Sequence, residues 1–483
     1  LGIYAGGASR RGYYEAWRQF LSPCDERDPI DTARMVQSMR RFEAAMDAPK
    51  EQQATYSPSF LLTPRETRHI HCEYMLKYEE MVAGRKFKDG VIRFESNMDS
   101  KGLVSSDVAN CGIITQDRFF NFRLTLPYRS MLPREIDNLL VAAKSYGAFS
   151  DVFAMARMER DLFQMGLVAG TAANEAIEAT CSFGHIDINK LQEKLIEMGS
   201  ITRSDITPDD IENEHQAIEE LEKLSNIEDI EEDDNTLRSC ARLLVWAING
   251  NGLLPVNQIK KHTYPLMCVY AILGDDTALD YHEKLLSEEL AKVGNSLPQN
   301  WLMLTHHKKT PHNLPDHGYA PPMAYWMNVL ARGGRKESIL QAMKKLVKPI
   351  YYAGELNWDT LWSYSWCFAY CAEHLASEAF IDVLMQIINS PLLQSAFLPR
   401  QADLRTGNDT LSERKTYLRL CLARALARCG SKKGYEILIE FLSSAYACYA
   451  RSARDELAEL SSEDFYFDGD KWTQWLELNT GSL

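Results

Sequence analysis

Apolar positions along the chain follow two periods, and the change from one to the other divides it. Between residues 31 and 46 they fall at Ala33, Val36, Met39, Phe42 and Met46, which predicts an amphipathic helix. From Ser57 to Arg134 the helical period is lost. Val91-Ile92-Arg93-Phe94 and Phe120-Asn121-Phe122-Arg123-Leu124-Thr125-Leu126 read as strands, and the alternation of the second predicts one side turned to solvent or to a ligand. Leu139 to Ala143 is a short apolar run between Asp137-Asn138 and Lys144-Ser145-Tyr146-Gly147, the pattern of a buried strand. The helical period then returns. Leu162, Met165, Gly166, Ala169, Gly170, Ala173 and Ile177 share one face of a helix that begins near Glu159. A strand, a polar loop and a small-faced helix can hold a nucleotide cofactor against a helix N-terminus. Small residues four apart also mark tight packing, so the pattern alone leaves both readings open.

A further helix from Asp187 to Gly199 carries Leu191, Leu195 and Met198 on one face. The acidic stretch from Asp205 to Asp234 follows, and it reads as a solvated helix and linker. Domains are therefore expected at 1–200 and 237–483, joined by 201–236. Beyond the linker the chain is helical. Apolar helices come in pairs divided by turns such as Leu273-Gly274-Asp275, Arg332-Gly333-Gly334 and Arg428-Cys429-Gly430. This arrangement resembles HEAT-type repeats, degenerate in spacing and with inserted loops. Trp358, Trp362, Tyr364, Trp366, Phe368 and Tyr370 could line a carbohydrate or hydrophobic groove, but their helical spacing is that of repeat core.

Composition narrows the partners. The 483 residues carry a formal net charge of −14, against the clustered Lys and Arg that a nucleic-acid or anionic-membrane surface needs. No apolar run approaches a membrane span, which predicts a soluble chain. The 11 cysteines are scattered and without a Cys-x-x-Cys pair, which predicts reduced, buried thiols. The sequence begins at Leu1, so a signal for export cannot be judged and localisation stays open.

Four stretches resemble a family of bacterial FAD-dependent oxidoreductases. They are Arg65-Glu66-Thr67-Arg68-His69-Ile70, Leu126-Pro127-Tyr128-Arg129-Ser130-Met131-Leu132-Pro133, Asn138 to Ala143, and Arg157-Met158-Glu159 followed by Gly166 to Ala173. Their order and spacing match the C-terminal end of that family's FAD-binding domain, from about 30 to 200. The tail from Ala450 to Leu476 resembles the ending of members that carry HEAT repeats. The resemblance implies an α+β fold, the C-terminal portion of an FAD-binding α/β domain, followed by an all-α HEAT-like domain. It implies FAD as cofactor and a hydride or electron pair passed between flavin and a small organic substrate, loosely carbohydrate-related.

Site residues follow from the same likeness. The backbone of Met158, Glu159 and Arg160 would meet the flavin, with Arg157 adding positive charge. Reduced flavin gathers negative charge at its N1–C2=O edge, which a helix N-terminus stabilises. Ala143 and Lys144 would lie by the ribityl or pyrophosphate part, and Gly166 and Gly170 would let the helix pack on a sheet. Arg65, Glu66 and Arg68 form either an ion-paired turn or part of the substrate side. This chain departs from the family in having Ala143-Lys144 for Gly-Arg, and Gly147 and Ser150 where many members place Ser and His. A loop histidine therefore cannot be assigned proton transfer, and no catalytic residue is named among Asp151, Glu159 and Asp161.

The Gly-x-Gly-x-x-Gly fingerprint is absent from all 483 residues. Gly6-Gly7-Ala8-Ser9-Arg10-Arg11-Gly12 does not have its spacing and reads as a surface loop. The expectation is thus an oxidoreductase fragment lacking its N-terminal nucleotide-binding segment and inactive alone. The alternative is a non-catalytic helical-repeat scaffold with a relic flavin-domain segment. His306, His307, His312 and His317 with Asp316 match no zinc spacing, and His69-x-His71 reads as a partly buried pair, so no metal is assigned.

Overall fold

The computed structural model describes residues 2–7, 14–19, 24–25, 27–45, 69–96, 106–113, 122–153, 156–206, 240, 242–243, 264–295, 297, 321–352, 358–403 and 410–479. Arg65, Glu66, Arg68, most of the acidic linker and the histidine-rich loop lie outside them. Contacts divide the chain into two compact units. One takes in Leu1–Arg65, His282–Pro315 and Ala320–Leu483, and the other Glu66–Tyr281 and Asp316–Tyr319. This division differs from the boundary expected after residue 200, because the N-terminal helix packs with the C-terminal ones. No helix among the described residues is long and apolar enough to cross a membrane.

The first unit opens with an antiparallel hairpin, β1 (Gly2–Gly7) and β2 (Tyr14–Gln19), in register from Gly2 opposite Gln19 to Gly7 opposite Tyr14. Gly6 and Gly7, expected in a loop, end β1. Helix α1 (Pro29–Ala45) starts where Asp28 accepts the Ile30 and Asp31 N–H groups at 2.9 and 3.0 Å. Its first turns bury other positions than the predicted Ala33 and Val36, the latter half-buried, while the Met39 and Phe42 side chains and Met46 lie outside the description. Ala33 is exposed, whereas Asp31, Arg34 and Met35 are buried. The reason is electrostatic: Arg34 donates to Asp31 at 2.7 Å and reaches Glu413 at 3.5 Å, so the helix turns its ion pair inward.

The second unit contains α2 (Tyr78–Ala83), β3 (Gly90–Ser96), β4 (Phe122–Pro127), α3 (Glu159–Ala179) and α4 (Ile188–Glu197). Strands β3 and β4 pair antiparallel with a bulge between Gly90 and Ile92, in the places where the sequence predicts strands. Helices α3 and α4 pack on β3, burying Met165, Val168 and Ala172 of the first and Leu191 and Leu195 of the second. Glu175 of α3 ties them by ion pairs to Lys190, at 2.7 Å, and Lys194. Helix α5 (Tyr264–Ile272), buried almost throughout, ends this unit's described helices.

The remaining helices are α6 (Asp276–Ala291), α7 (Pro322–Arg332), α8 (Lys336–Tyr351), α9 (Trp358–Leu375), α10 (Ile381–Ile388), α11 (Thr410–Arg428), α12 (Lys432–Phe441), α13 (Ala447–Ser461) and α14 (Gly469–Asn479). From α7 onward they form two layers. Helices α7, α9, α11 and α13 neighbour one another in one layer, and α8, α10, α12 and α14 back them. The same turn joins α5 to α6, α7 to α8 and α11 to α12. Gly274, Gly334 and Gly430 each adopt positive φ, and the following N–H groups of Asp275, Arg335 and Ser431 return to the carbonyls of Tyr270, Leu330 and Leu426. Helix α12 crosses α11 so closely that a Cβ on Gly434 would stand 2.3 Å from the Ala427 nitrogen. Trp362, Tyr364, Phe368 and Tyr370 of α9 are buried in the layer.

Candidate functional site

The candidate site lies in the second unit, where three irregular stretches are bound edge to edge. Residues 70–76 run between the turn at 128–134 and the loop at 141–149. Ile70 N–H donates to Ser145 O, Glu73 N–H to Leu132 O, Leu76 N–H to Gly147 O and Gly147 N–H to Ser130 O, all at 2.8–3.0 Å. Gly147 is required at the centre of this weave. A Cβ there would stand 2.4 Å from the Tyr74 carbonyl oxygen and 2.6 Å from Cys72 Cβ.

Leu139 to Ala143, predicted as a buried strand, forms no regular strand. Its Val141 is buried and donates its N–H to Met131 O at 2.9 Å, while Leu139, Ala142 and Ala143 are exposed. A strand needs a ladder on at least one side, and here one backbone bond to a turn takes its place.

The turn Tyr128-Arg129-Ser130-Met131 leaves β4 and is fixed by charge. Arg129 donates to both carboxylate oxygens of Asp89, Nε at 2.9 Å and Nη2 at 3.2 Å, and its guanidinium lies 5.0 Å from the Tyr74 ring. The hydrogen bond to Asp89 holds the Arg129 guanidinium more firmly protonated than usual. Tyr74 in turn donates to Glu80, which also pairs with Arg85. Burial, then the Glu80 charge, raises the Tyr74 hydroxyl above the ordinary tyrosine range. The sequence gives no sign of this cluster, because its members come from separate segments.

Tyr146 links the loop to the start of α3. Its carbonyl lies 3.4 Å from His69 Nδ1, and its hydroxyl donates to Ala156 O at 3.0 Å, just before Arg157. Its N–H returns to Ala143 O at 3.2 Å. Tyr146 therefore ties the loop that holds the Ala143-Lys144 turn to Ala156, the residue before Arg157. Phe153 receives His69 edge-on at 5.6 Å and the Arg157 guanidinium at 5.7 Å.

Helix α3 is capped from within. The Met158 N–H donates to Asp161 Oδ2 at 2.9 Å, and the Asp161 N–H returns to Met158 O. An acidic residue at the third helical position is the sequence signal for this cap. Asp161 is buried, which raises its carboxyl above the usual range, and Arg160 Nε lies 3.3 Å away. Among the described residues the Glu159 and Arg160 N–H groups reach no backbone acceptor, as is usual for the first N–H groups of a helix, which are open to an outside acceptor. Met158, Glu159 and Arg160 are exposed, and Lys144 and Arg157 are half-buried.

Gly166 and Gly170, expected to admit a close neighbour, face open space: a Cβ added at either would meet nothing within 4 Å among the described residues. They share α3's outer face with Phe163, 78% exposed, Leu167 and Ile177, 77% exposed. The inner face, built on Met165, Val168 and Ala172, makes the packing on β3 instead.

A helix start with two N–H groups that have no acceptor among the described residues, flanked by basic residues, is an arrangement that receives an electron-rich or anionic group. Residues 36–195 match the model of the FAD dependent oxidoreductase family, which indicates an oxidoreductase-type domain with FAD as its cofactor. No curated protein and no solved structure matches the chain. The residues at α3 fit the flavin end of that cofactor, whereas the absent fingerprint leaves its adenosine diphosphate end without an evident seat in these 483 residues.

Proposed function

We propose that this chain carries the flavin-facing portion of an FAD-dependent oxidoreductase acting on an organic substrate, carbohydrate-related by resemblance, and that an upstream segment supplies the nucleotide-binding portion. Bound FAD supplies the acceptor or donor for a hydride or an electron pair. The observation that carries the reading is the opened N-terminus of α3, set by Asp161 and Tyr146 within the stretch that matches the family.

The roles of the chain's own residues follow. The Glu159 and Arg160 N–H groups orient and bind the flavin edge that gathers negative charge, and Arg157 adds charge beside them. Asp161 holds Met158 so that those two donors face outward. Ala143 and Lys144, on the turn tied through Tyr146, would hold the ribityl or pyrophosphate part. The outer face of α3, with Gly166 and Gly170, receives the remainder of the domain. We further propose that the paired helices from α5 to α14 are HEAT-like repeats that offer a binding surface or subunit contact.

The test is the visible spectrum of this chain and of an upstream-extended form after incubation with FAD and removal of the excess. Flavin retained by the extended form, and lost on Gly166→Leu with folding intact, is the expected result. Flavin retained by neither form overturns the reading in favour of a helical-repeat scaffold.

A further inference from the structure

The two-layered helical unit contains a charged cluster that the flavin site does not use. Arg424 of α11 points Nε between two carboxylates, 3.1 Å from Glu456 Oε2 on α13 and 3.7 Å from Glu373 Oε1 on α9. Arg428, one turn on, donates Nη2 to Glu456 at 3.1 Å and to Glu459 at 3.1 Å. Two arginines thus serve three carboxylates across three neighbouring helices. The sharing is unequal. Glu456 accepts hydrogen bonds from both arginines, whereas at 3.7 Å Glu373 receives a charge contact and no hydrogen bond.

Glu373 is also placed against its own ionisation. It sits in the last turn of α9, at the negative end of the helix dipole, beside the buried Tyr417–Cys421 side of α11. Burial is the largest influence on its carboxyl, and with the Glu456 and Glu459 charges it outweighs Arg424 and Arg428, raising the carboxyl to about 7. The groups that face Glu373 are Arg424, Arg428, Glu456, Glu459, Tyr417, Cys421 and Cys429. His374, next along α9, instead meets Tyr370 at 4.2 Å and Arg332 at 3.4 Å.

We infer that Glu373, Arg424 and Glu456 form a proton-operated clasp, in which a proton taken up from solvent by Glu373 releases Arg424 wholly to Glu456 and tightens α11 on α13. With Glu373 neutral the two arginines face two carboxylates and the cluster is balanced. With Glu373 ionised a third negative charge competes for Arg424, and the hold on α13 loosens. A carboxyl raised in the folded state gives stability that is full below the ordinary glutamate range and is lost as pH rises through the raised value. The inference is independent of the flavin reading.

The experiment is thermal unfolding of the full chain from about pH 5.5 to about pH 8.5, beside Glu373→Gln and the control His374→Gln, with a carbon-13 carboxyl titration of the unaltered chain. The unaltered chain and His374→Gln should lose roughly 5 °C across this range in the helical unit's transition. Glu373→Gln should keep the low-pH value throughout. A pH slope in Glu373→Gln equal to that of the unaltered chain overturns the clasp. Should that variant fail to fold, the titration decides: a Glu373 midpoint near neutrality supports it, and one in the ordinary carboxylate range overturns it.

Discussion

Arg34 and Glu413 face each other at 3.5 Å with both side chains wholly buried, a cation from the start of the chain neutralised by an anion near its end. Arg34 also lies 4.4 Å from the Tyr446 ring. Burial disfavours its charge, yet Glu413 and Asp31 overcome that and hold it more firmly protonated than usual. Removing one member of such a group costs about 3–5 kcal/mol, because the others stay buried and charged. Arg34→Ala would leave Glu413 to Arg414 at 4.0 Å and the Tyr449 hydroxyl at 3.4 Å. Chemical denaturation should show that loss, and Glu413→Gln in the same background should recover part of it.

Two glycine substitutions should act in opposite directions. Gly147→Ala forces a methyl into the Tyr74 carbonyl and Cys72, and should destabilise the chain by about 2 kcal/mol or more. Gly166→Ala meets nothing within 4 Å and should stabilise α3 by about 0.5–1 kcal/mol. Thermal unfolding of both variants, without added flavin, measures the contrast.

Asp161→Ala should cost about 1 kcal/mol through loss of the helix cap, and Asp161→Asn less, since the amide oxygen still accepts from Met158. The Asp161 carboxyl is raised by burial, so its titration favours the folded state most in acid and progressively less as pH climbs through the shifted range. Asp161→Asn should remove that component from a pH series of unfolding free energies.

Thiol labelling of the native chain should be slow and selective. Nine of the 11 cysteines are buried and none forms a disulfide, while Cys181 and Cys448 are partly accessible. Burial raises the Cys448 thiol to about 11, which leaves little thiolate. Cys181 should therefore react first with a thiol reagent, and mass mapping of the first adduct checks the order.

Local chemistry made much of this fold legible. The glycine turns after Leu273, Arg332 and Cys429 announce themselves because only the turn residues and the flanking apolar helices are needed to build them. The strands around Val91 and Leu124 were readable for the same reason. Features that depend on distant partners were not. Leu139 to Ala143 has strand composition but no neighbouring ladder. Helix α1 has an apolar stripe, yet its first turns bury Arg34 against the distant Glu413. In the site, the cap at Asp161 was missed, although its place three residues after Met158 is a signal for it. Tyr146, which ties the loop to α3, gave no such signal, since neither of its partners, His69 and Ala156, is evident from the pattern around it. Gly166 and Gly170 show how spacing finds a face without saying what lies on it.

The docking of residues 25–34 also has a consequence for synthesis. Asp25 pairs with Arg451 and Asp28 with Arg400, at sequence separations of 426 and 372. At about 5–20 residues per second, translation needs roughly 20–75 s after Asp28 emerges before Arg400 exists to meet it. Until then Asp25 and Asp28 lack these long-range partners. The ion pairs that fasten the beginning of the chain thus wait until most of its length has been made.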